Sequence, residues 1–168
     1  MKRKIFISFV LAVFSNLLLL AQSADDVVGL WYSEKDSQGL IPVVEIYKEN
    51  GKYYGYFFDY KGGYNGPEKK DVKNPNKELR ELPLKGLVYL MGLSFEKGEW
   101  KGGKIYNPYD GKTYNGKMSL SEDKKTLTVR GSLDKAGVLG KSMKWTKVPD
   151  SEKSLYKPLN RSDLRKFN

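Results

Sequence analysis

The stretch Gly102-Gly103-Lys104-Ile105-Tyr106-Asn107-Pro108-Tyr109-Asp110-Gly111-Lys112-Thr113-Tyr114-Asn115-Gly116 spells a β-hairpin through its residue types. Pro108 is preset for the first corner of a type I turn and Gly111 supplies a left-handed residue at its end. Pro108 to Gly111 therefore form a four-residue loop, and Asn107 faces Lys112. Counting outward pairs Ile105 with Tyr114 and Gly103 with Gly116. The next pair, Lys101 with Met118, would set a lysine on an apolar face. A bulge at Gly102-Gly103 removes that conflict by turning Trp100 round to join Met118 and Leu120. The facing glycines read either as the curvature of a barrel wall or as a gap left for a ligand or an intruding Trp ring. On this register Tyr106 points outward and Asp110 serves its own turn.

The same punctuation recurs along the chain. Runs rich in Tyr, Phe, Val, Ile and Leu, separated by Gly, Asn, Asp and Pro, predict strands over Gly29 to Glu34, Leu40 to Glu49, Lys52 to Tyr60, Leu87 to Phe95, Glu99 to Asn107, Lys112 to Leu120, Thr126 to Ser132 and Gly140 to Val148. Most links are short enough for antiparallel neighbours. The expected fold class is all-β, an antiparallel up-and-down barrel of about eight strands, because closure removes exposed edges. Two segments stand outside this pattern. Lys61 to Glu81, with Gly62-Gly63, Asn65-Gly66-Pro67 and Asn74-Pro75, reads as a mobile loop. The polar, basic tail over 149–168 reads as a flexible arm or a short helix from Ser162.

Asn50-Gly51 is a type I′ hairpin signal, since both central residues need positive φ. Its register pairs Glu49 with Lys52, Tyr47 with Tyr54, Glu45 with Tyr56 and Val43 with Phe58. The other face pairs Lys48 with Tyr53, Ile46 with Gly55, Val44 with Phe57 and Pro42 with Asp59. Both faces are largely apolar, so alternation leaves the inward face open. Placing Val44, Ile46, Gly55 and Phe57 inside keeps Glu45, which lacks an evident basic neighbour, out of an interior where it would be costly. Tyr47, Tyr54, Tyr56, Phe58 and Tyr60 then form an outward aromatic strip, a candidate partner surface. The opposite choice makes Glu45 a polar anchor in a tyrosine-lined cavity.

The N-terminal residues have a separate logic. Lys2, Arg3 and Lys4 precede an apolar run from Ile5 to Leu20 and the small residues around Ala21-Gln22-Ser23-Ala24. That order predicts a secretory signal peptide over 1–23, with cleavage after Ala21, Ser23 or Ala24, leaving a protein in the periplasm or the extracellular medium with no transmembrane span. Setting aside these three basic residues lowers the formal charge from +10 by three, to +7. Such a balance suits anionic partners, but the lysines are scattered among acids and read first as a solvated surface. The chain has no cysteine and no histidine. No disulfide or lipidated cysteine is available, and the usual general base and the commonest zinc ligand are missing. Glu45, Asp59 and Asp110 are the carboxylates left for acid-base work, yet no spacing sets a nucleophile beside a base. An enzyme is not expected, nor is a cofactor or metal.

Gly29-Leu30-Trp31 in the first strand, with Trp145 in the last, resembles the lipocalin and calycin arrangement, in which Gly-x-Trp opens the barrel and closes its base. Together with Gly51-Lys52-Tyr53-Tyr54-Gly55, Trp100 to Pro108, Asp110-Gly111-Lys112-Thr113-Tyr114, Leu127-Thr128-Val129-Arg130-Gly131 and Gly140 to Thr146, the chain is similar to the bacterial exported family catalogued as domain of unknown function 2147, over roughly Val27 to Val148. The resemblance implies a lipocalin-like barrel over 27–148 and carries over no catalytic residue. Lys147 stands where that family's pattern tends to have arginine, so a cation capping the Trp ring would here lack the planar group.

These readings predict an exported, noncatalytic barrel that binds a small apolar or amphipathic ligand. The candidate lining residues are Trp31, Val44, Ile46, Phe57, Tyr114, Met118 and Trp145, each of which also suits a packed core. The alternative is an envelope protein-protein interaction or structural module acting through the aromatic strip, the long loop and the tail. Aromatic strands with basic charge also suit single-stranded nucleic acid, a partner that export sets aside.

Overall fold

The computed structural model describes residues 22–167, so all but the last two residues of the signal peptide expected over 1–23 lie outside the described residues. Eight strands follow one another around a barrel: β1 (Gly29–Tyr32), β2 (Pro42–Glu49), β3 (Lys52–Tyr60), β4 (Leu87–Glu96), β5 (Glu99–Asn107), β6 (Lys112–Leu120), β7 (Thr126–Ser132) and β8 (Gly140–Lys147). Each pairs antiparallel with the next, and β1 pairs with β8 to close the ring. A two-residue strand β9 (Arg165–Lys166) lies parallel to the start of β4. The strand bounds expected for β3, β5, β6 and β7 coincide with those observed, and the others differ by one or two residues at an end.

The β5–β6 hairpin has the expected register. Asn107 faces Lys112, Ile105 faces Tyr114, Gly103 faces Gly116, and a bulge between Lys101 and Gly103 sets Trp100 opposite Met118. Gly102 takes the left-handed conformation at φ +76° that the bulge requires. A Cβ at Gly103 would collide with the Met91 carbonyl oxygen and with Leu93 on β4. Close approach of the neighbouring strand accounts for that glycine, and the space is filled rather than left for a ligand. In the β2–β3 turn, Asn50 and Gly51 both have positive φ, at 48° and 74°.

Inside the barrel, Val27, Trp31, Val44, Ile46, Tyr53, Leu90, Leu93, Trp100, Ile105, Met118, Leu127, Val129 and Trp145 form one continuous core. The expected inward face of β2 and β3 is therefore the observed one. One part of that register is corrected. A bulge between Val43 and Val44 pairs Val43 with Asp59 and Pro42 with Tyr60, where regular counting put Val43 with Phe58 and Pro42 with Asp59. Phe58 is the extra residue. The slip reverses the faces beyond it, so Tyr60 leaves the outward strip and packs on Phe57, with ring centroids 4.8 Å apart.

The rest of the strip faces outward but is not a free surface. Tyr47, Tyr56 and Phe58 are buried and Tyr54 partly so, beneath Tyr156, Leu159 and Leu164 of the C-terminal tail. The flexible arm expected there is instead an ordered strap. It contains a short helix α1 (Asp150–Lys153) and ends in β9. Arg161 donates two hydrogen bonds to Glu45, at 2.7 and 3.0 Å, and lies 4.0 Å over the Tyr47 ring. Tyr56 donates its hydroxyl to the same carboxylate. The missing basic neighbour of Glu45 thus comes from 116 residues away.

The long loop is ordered too. Asp71 and Asn74 are fully buried. Tyr106 donates to Asp71 at 2.7 Å, and Asn74 donates to Asp71 at 2.8 Å and to the Phe167 carbonyl at 3.0 Å. Phe167 stacks on Tyr106, with centroids 4.5 Å apart. Tyr106 points outward as expected, but beneath a lid made of loop and C-terminus.

Candidate functional site

The up-and-down order gives the barrel two different ends. One end carries the β2–β3, β4–β5 and β6–β7 turns, together with the chain's entry into β1. A 3-10 turn, Ala24–Val27, seals it. Ser23 and Asp26 cap this turn reciprocally. The Trp31 indole donates to the Val27 carbonyl at 2.8 Å, and the Trp100 indole donates to the Ala24 carbonyl at 3.0 Å. Lys147 caps the Trp31 ring at 5.3 Å and donates to the Asp26 carbonyl at 3.1 Å. Lysine does hold the position above the ring, as a point charge rather than a stacked plane.

The other end carries the β1–β2, β3–β4, β5–β6 and β7–β8 connections and opens into a cavity of about 860 Å³. Phe57, Tyr89, Ile105, Tyr114, Met143 and Trp145 line its inner wall, with Tyr60 nearer the opening. Of the residues expected to line a site, Phe57, Tyr114 and Trp145 do so. Trp31, Val44, Ile46 and Met118 belong to the packed half of the barrel nearer the base. The interior is thus split: solid below Trp145 and hollow above it.

Two polar features mark the inner wall. Burial pushes the Tyr89 phenol well above its ordinary pKa, and the Tyr109 hydroxyl adds to the effect. The Trp145 indole N–H is buried and has no hydrogen-bond partner among the described residues. A buried, unpaired donor costs roughly 1–3 kcal/mol, so the hollow half is less satisfied than the base.

At the opening, Lys69 meets Asp36 at 2.7 Å, with side chains 16% and 2% exposed. Burial works to raise the Asp36 carboxyl, but the Lys69 ammonium and the backbone amides of Gln38 and Leu40 together hold it below its usual value. Lys69 also lies 4.9 Å over the Tyr60 ring and 5.4 Å over the Tyr64 ring. This buried pair pins the long β3–β4 loop to the β1–β2 loop beside the mouth. Asp110 accepts from the Lys112 amide at 2.9 Å and from the Tyr114 hydroxyl at 2.6 Å, holding its own turn as expected. Among the described residues, no three carboxylates gather closely enough to hold a metal ion.

Ile105 was within reach of sequence reasoning, since it pairs with Tyr114 and shares its face. Tyr89 was harder, because the β3–β4 pairing slips around Gly55 and breaks the alternation. Leu133 and Leu139 sit beyond the strand ends, where no period speaks for them.

The profile of a family described as an uncharacterized protein conserved in bacteria (DUF2147) matches residues 29–147. The chain belongs to this family. It is also similar to a solved structure of the protein HP1028 from the human pathogen Helicobacter pylori, described as belonging to the lipocalin family, with 33% sequence identity and a TM-score of 0.73. That similarity covers 82% of this chain and 94% of the other. No curated protein matches. The DUF2147 chain described here is therefore a closed, lipocalin-like barrel.

Proposed function

We propose that this DUF2147 protein is an exported, noncatalytic carrier or sensor that takes one small apolar or amphipathic molecule into the upper half of its barrel. The supporting observation is the cavity of about 860 Å³, walled by aromatic and aliphatic side chains and ringed by polar groups at its mouth. Its size suits a ligand-binding pocket, which typically spans about 300–1,000 Å³. An unpaired indole donor near the bottom and apolar walls above favour an amphipathic occupant over a purely aliphatic one. The carboxylates near the mouth already have partners, Asp36 with Lys69 and Asp110 with Tyr114, in keeping with a binding rather than a catalytic role. The alternative of a partner surface on the aromatic strip has little support, since the chain's own tail covers Tyr47, Tyr56 and Phe58.

Trp145 serves as the reporter for the test. All three tryptophans are buried, but Trp145 alone of them lines the cavity, whereas Trp31 and Trp100 pack in the base. An added amphipathic probe such as anilinonaphthalene sulfonate is expected to quench Trp145 and gain fluorescence itself. Gly131 lines the cavity and has ordinary clearance for a Cβ, 3.4 Å from Tyr114. Gly131→Leu should therefore fill the hollow, abolish probe uptake and leave the fold intact. Equal uptake by wild type and Gly131→Leu would refute a site inside the barrel.

A further inference from the structure

The rim of the open end differs from the rest of the surface. Among the described residues, the large apolar side chains left exposed are Val28, Val72, Tyr109, Leu133, Val138, Leu139 and Leu155. All but Val28 and Leu155 lie on the connections around the mouth. Leu133, Val138 and Leu139 are 69%, 73% and 65% exposed on the β7–β8 connection. Tyr109, 53% exposed, tops the β5–β6 turn beside them in the same mouth. Apolar residues at loop tips are not needed for the turns. Asp134 already organises the β7–β8 connection by accepting from the Val138 and Leu139 amides at 2.9 and 2.6 Å.

Charge on this rim is arranged differently as well. Near the closed end, Lys48, Lys101, Lys117 and Lys124 are each ion-paired with an acid, and Lys52, Lys97 and Lys125 are offset in number by Glu49, Glu122 and Asp123. Around the mouth, Lys35, Lys73, Lys112, Lys135 and Lys141 are exposed. None of these five belongs to the ion pairs found among the described residues. The nearby acids keep their charge: Asp36 is matched by Lys69, while Glu34, Asp110 and Asp134, held by hydrogen bonds, offset three of the five lysines and leave an excess of two. The rim thus combines protruding apolar tips with a small excess of positive charge.

We propose that this rim docks on an anionic lipid bilayer, with Leu133, Val138 and Leu139 entering the headgroup boundary and the lysines meeting the lipid phosphates. Shallow apolar insertion plus electrostatic attraction is the physical basis of reversible membrane association. Charge complementarity selects the bilayer over a second copy of the chain, because two such rims would bring like charges together. The inference goes beyond the ligand reading and does not require the cavity to be filled. It would face the mouth toward the phase in which apolar molecules dissolve.

Flotation of the purified protein with vesicles of equal parts phosphatidylcholine and phosphatidylglycerol tests it, with pure phosphatidylcholine vesicles as the comparison. Binding is expected to the anionic vesicles and to fall as salt is raised. A lysine near an anionic surface contributes about five-fold in affinity, so K135Q/K141Q should weaken binding by more than ten-fold. L133S/V138S/L139S should reduce it to background, and K97Q at the closed end should leave it unchanged. Because the chain has no cysteine, an environment-sensitive dye on V138C supplies a second measurement. It should shift to the blue with anionic vesicles, whereas the same dye on K97C should not.

No flotation with anionic vesicles at low salt, or undiminished flotation of both rim variants, would overturn the proposal. So would a wild-type dimer, seen in ultracentrifugation, that the rim variants convert to monomer, since a second copy would then be the occupant. Probe uptake measured without vesicles addresses the cavity alone, so the two readings fail separately.

Discussion

The closed and open ends of the barrel are built from the same strands and solve opposite problems. At the base, each large side chain has a packing partner and each indole a carbonyl: Trp31 with Val27, Trp100 with Ala24. In the upper half, the Trp145 N–H has no partner among the described residues, a cavity replaces packing, and leucine and valine tips face outward. The base spends residues on stability, and the mouth leaves residues available. Substitutions at the two ends should accordingly differ in kind: those below should change unfolding, and those above should change binding.

The largest separation is expected between Trp100→Ala and the rim variants. Trp100 is fully buried and stacks near Phe95 and Tyr53, at centroid distances of 4.9 and 6.2 Å. Its removal empties the base and orphans the Ala24 carbonyl, which should cost about 3–5 kcal/mol in urea unfolding. Val138→Ser should stay within about 0.5 kcal/mol of wild type. Similar losses for both would erase the distinction between the ends.

A smaller effect is expected from the strap that covers the outer wall. Arg161→Ala leaves Glu45, whose side chain is 15% exposed, without its cation and uncovers the Tyr47 ring. The expected loss is about 1–3 kcal/mol in urea unfolding, with wild-type probe uptake retained because the cavity lies on the other side of the strands. Arg161→Lys should recover only part of it, since a lysine cannot make the two-pronged contact. An unchanged urea midpoint in Arg161→Ala would show that the tail is held by its apolar contacts alone.

How much of this was legible follows the range of the interactions. Turn chemistry at Asn50-Gly51 and Pro108 to Gly111 acts over a few residues, so strand ends and most of the register could be read from it. The Phe58 bulge has no glycine to announce it, and one unseen slip moved Tyr60 from the outer strip to the mouth. The strap and the loop were hidden for another reason. Tyr156, Leu159, Leu164 and Phe167 are scattered through a mostly polar tail without a period, and they become a packing surface only once the barrel wall exists. A trace of them was present in Glu45, whose carboxylate needed a cation that no neighbour in sequence supplied. Three of the seven expected lining residues reach the cavity, because reading a face says which side chains point inward but not how high along the barrel the packing stops.

Acid should weaken the base. The hydrogen bond from Lys48, then that from Tyr53, holds the Asp25 carboxyl below its usual pKa, and the Lys124 ammonium does the same for Asp26. A carboxyl whose folded pKa is depressed stabilises the fold fully above its unfolded value, about 4, and that contribution disappears as pH falls through the folded value. Thermal unfolding between pH 6 and pH 2 should show a midpoint that falls below about pH 4. In D25N/D26N the fall should be shallower. A parallel decline in that variant would move the acid-sensitive contacts to the mouth, where Asp36 is held low by Lys69.

The smallest effect concerns Lys147, which touches both the Trp31 ring and the Asp26 carbonyl. Burial lowers its pKa, so the protein bears a desolvation cost for keeping the ammonium charged there. Against that cost stand one cation–π contact and one hydrogen bond, each worth about 1 kcal/mol. The near balance predicts that Lys147→Met, which keeps the stem over the ring, costs only about 0.5–1 kcal/mol in urea unfolding. Lys147→Arg should restore wild-type stability through its planar group. A loss in Lys147→Met as large as that in Trp100→Ala would mean that the seal depends on charge; the packing of Val27, Trp31 and Trp100 beneath the lysine argues that it depends on shape.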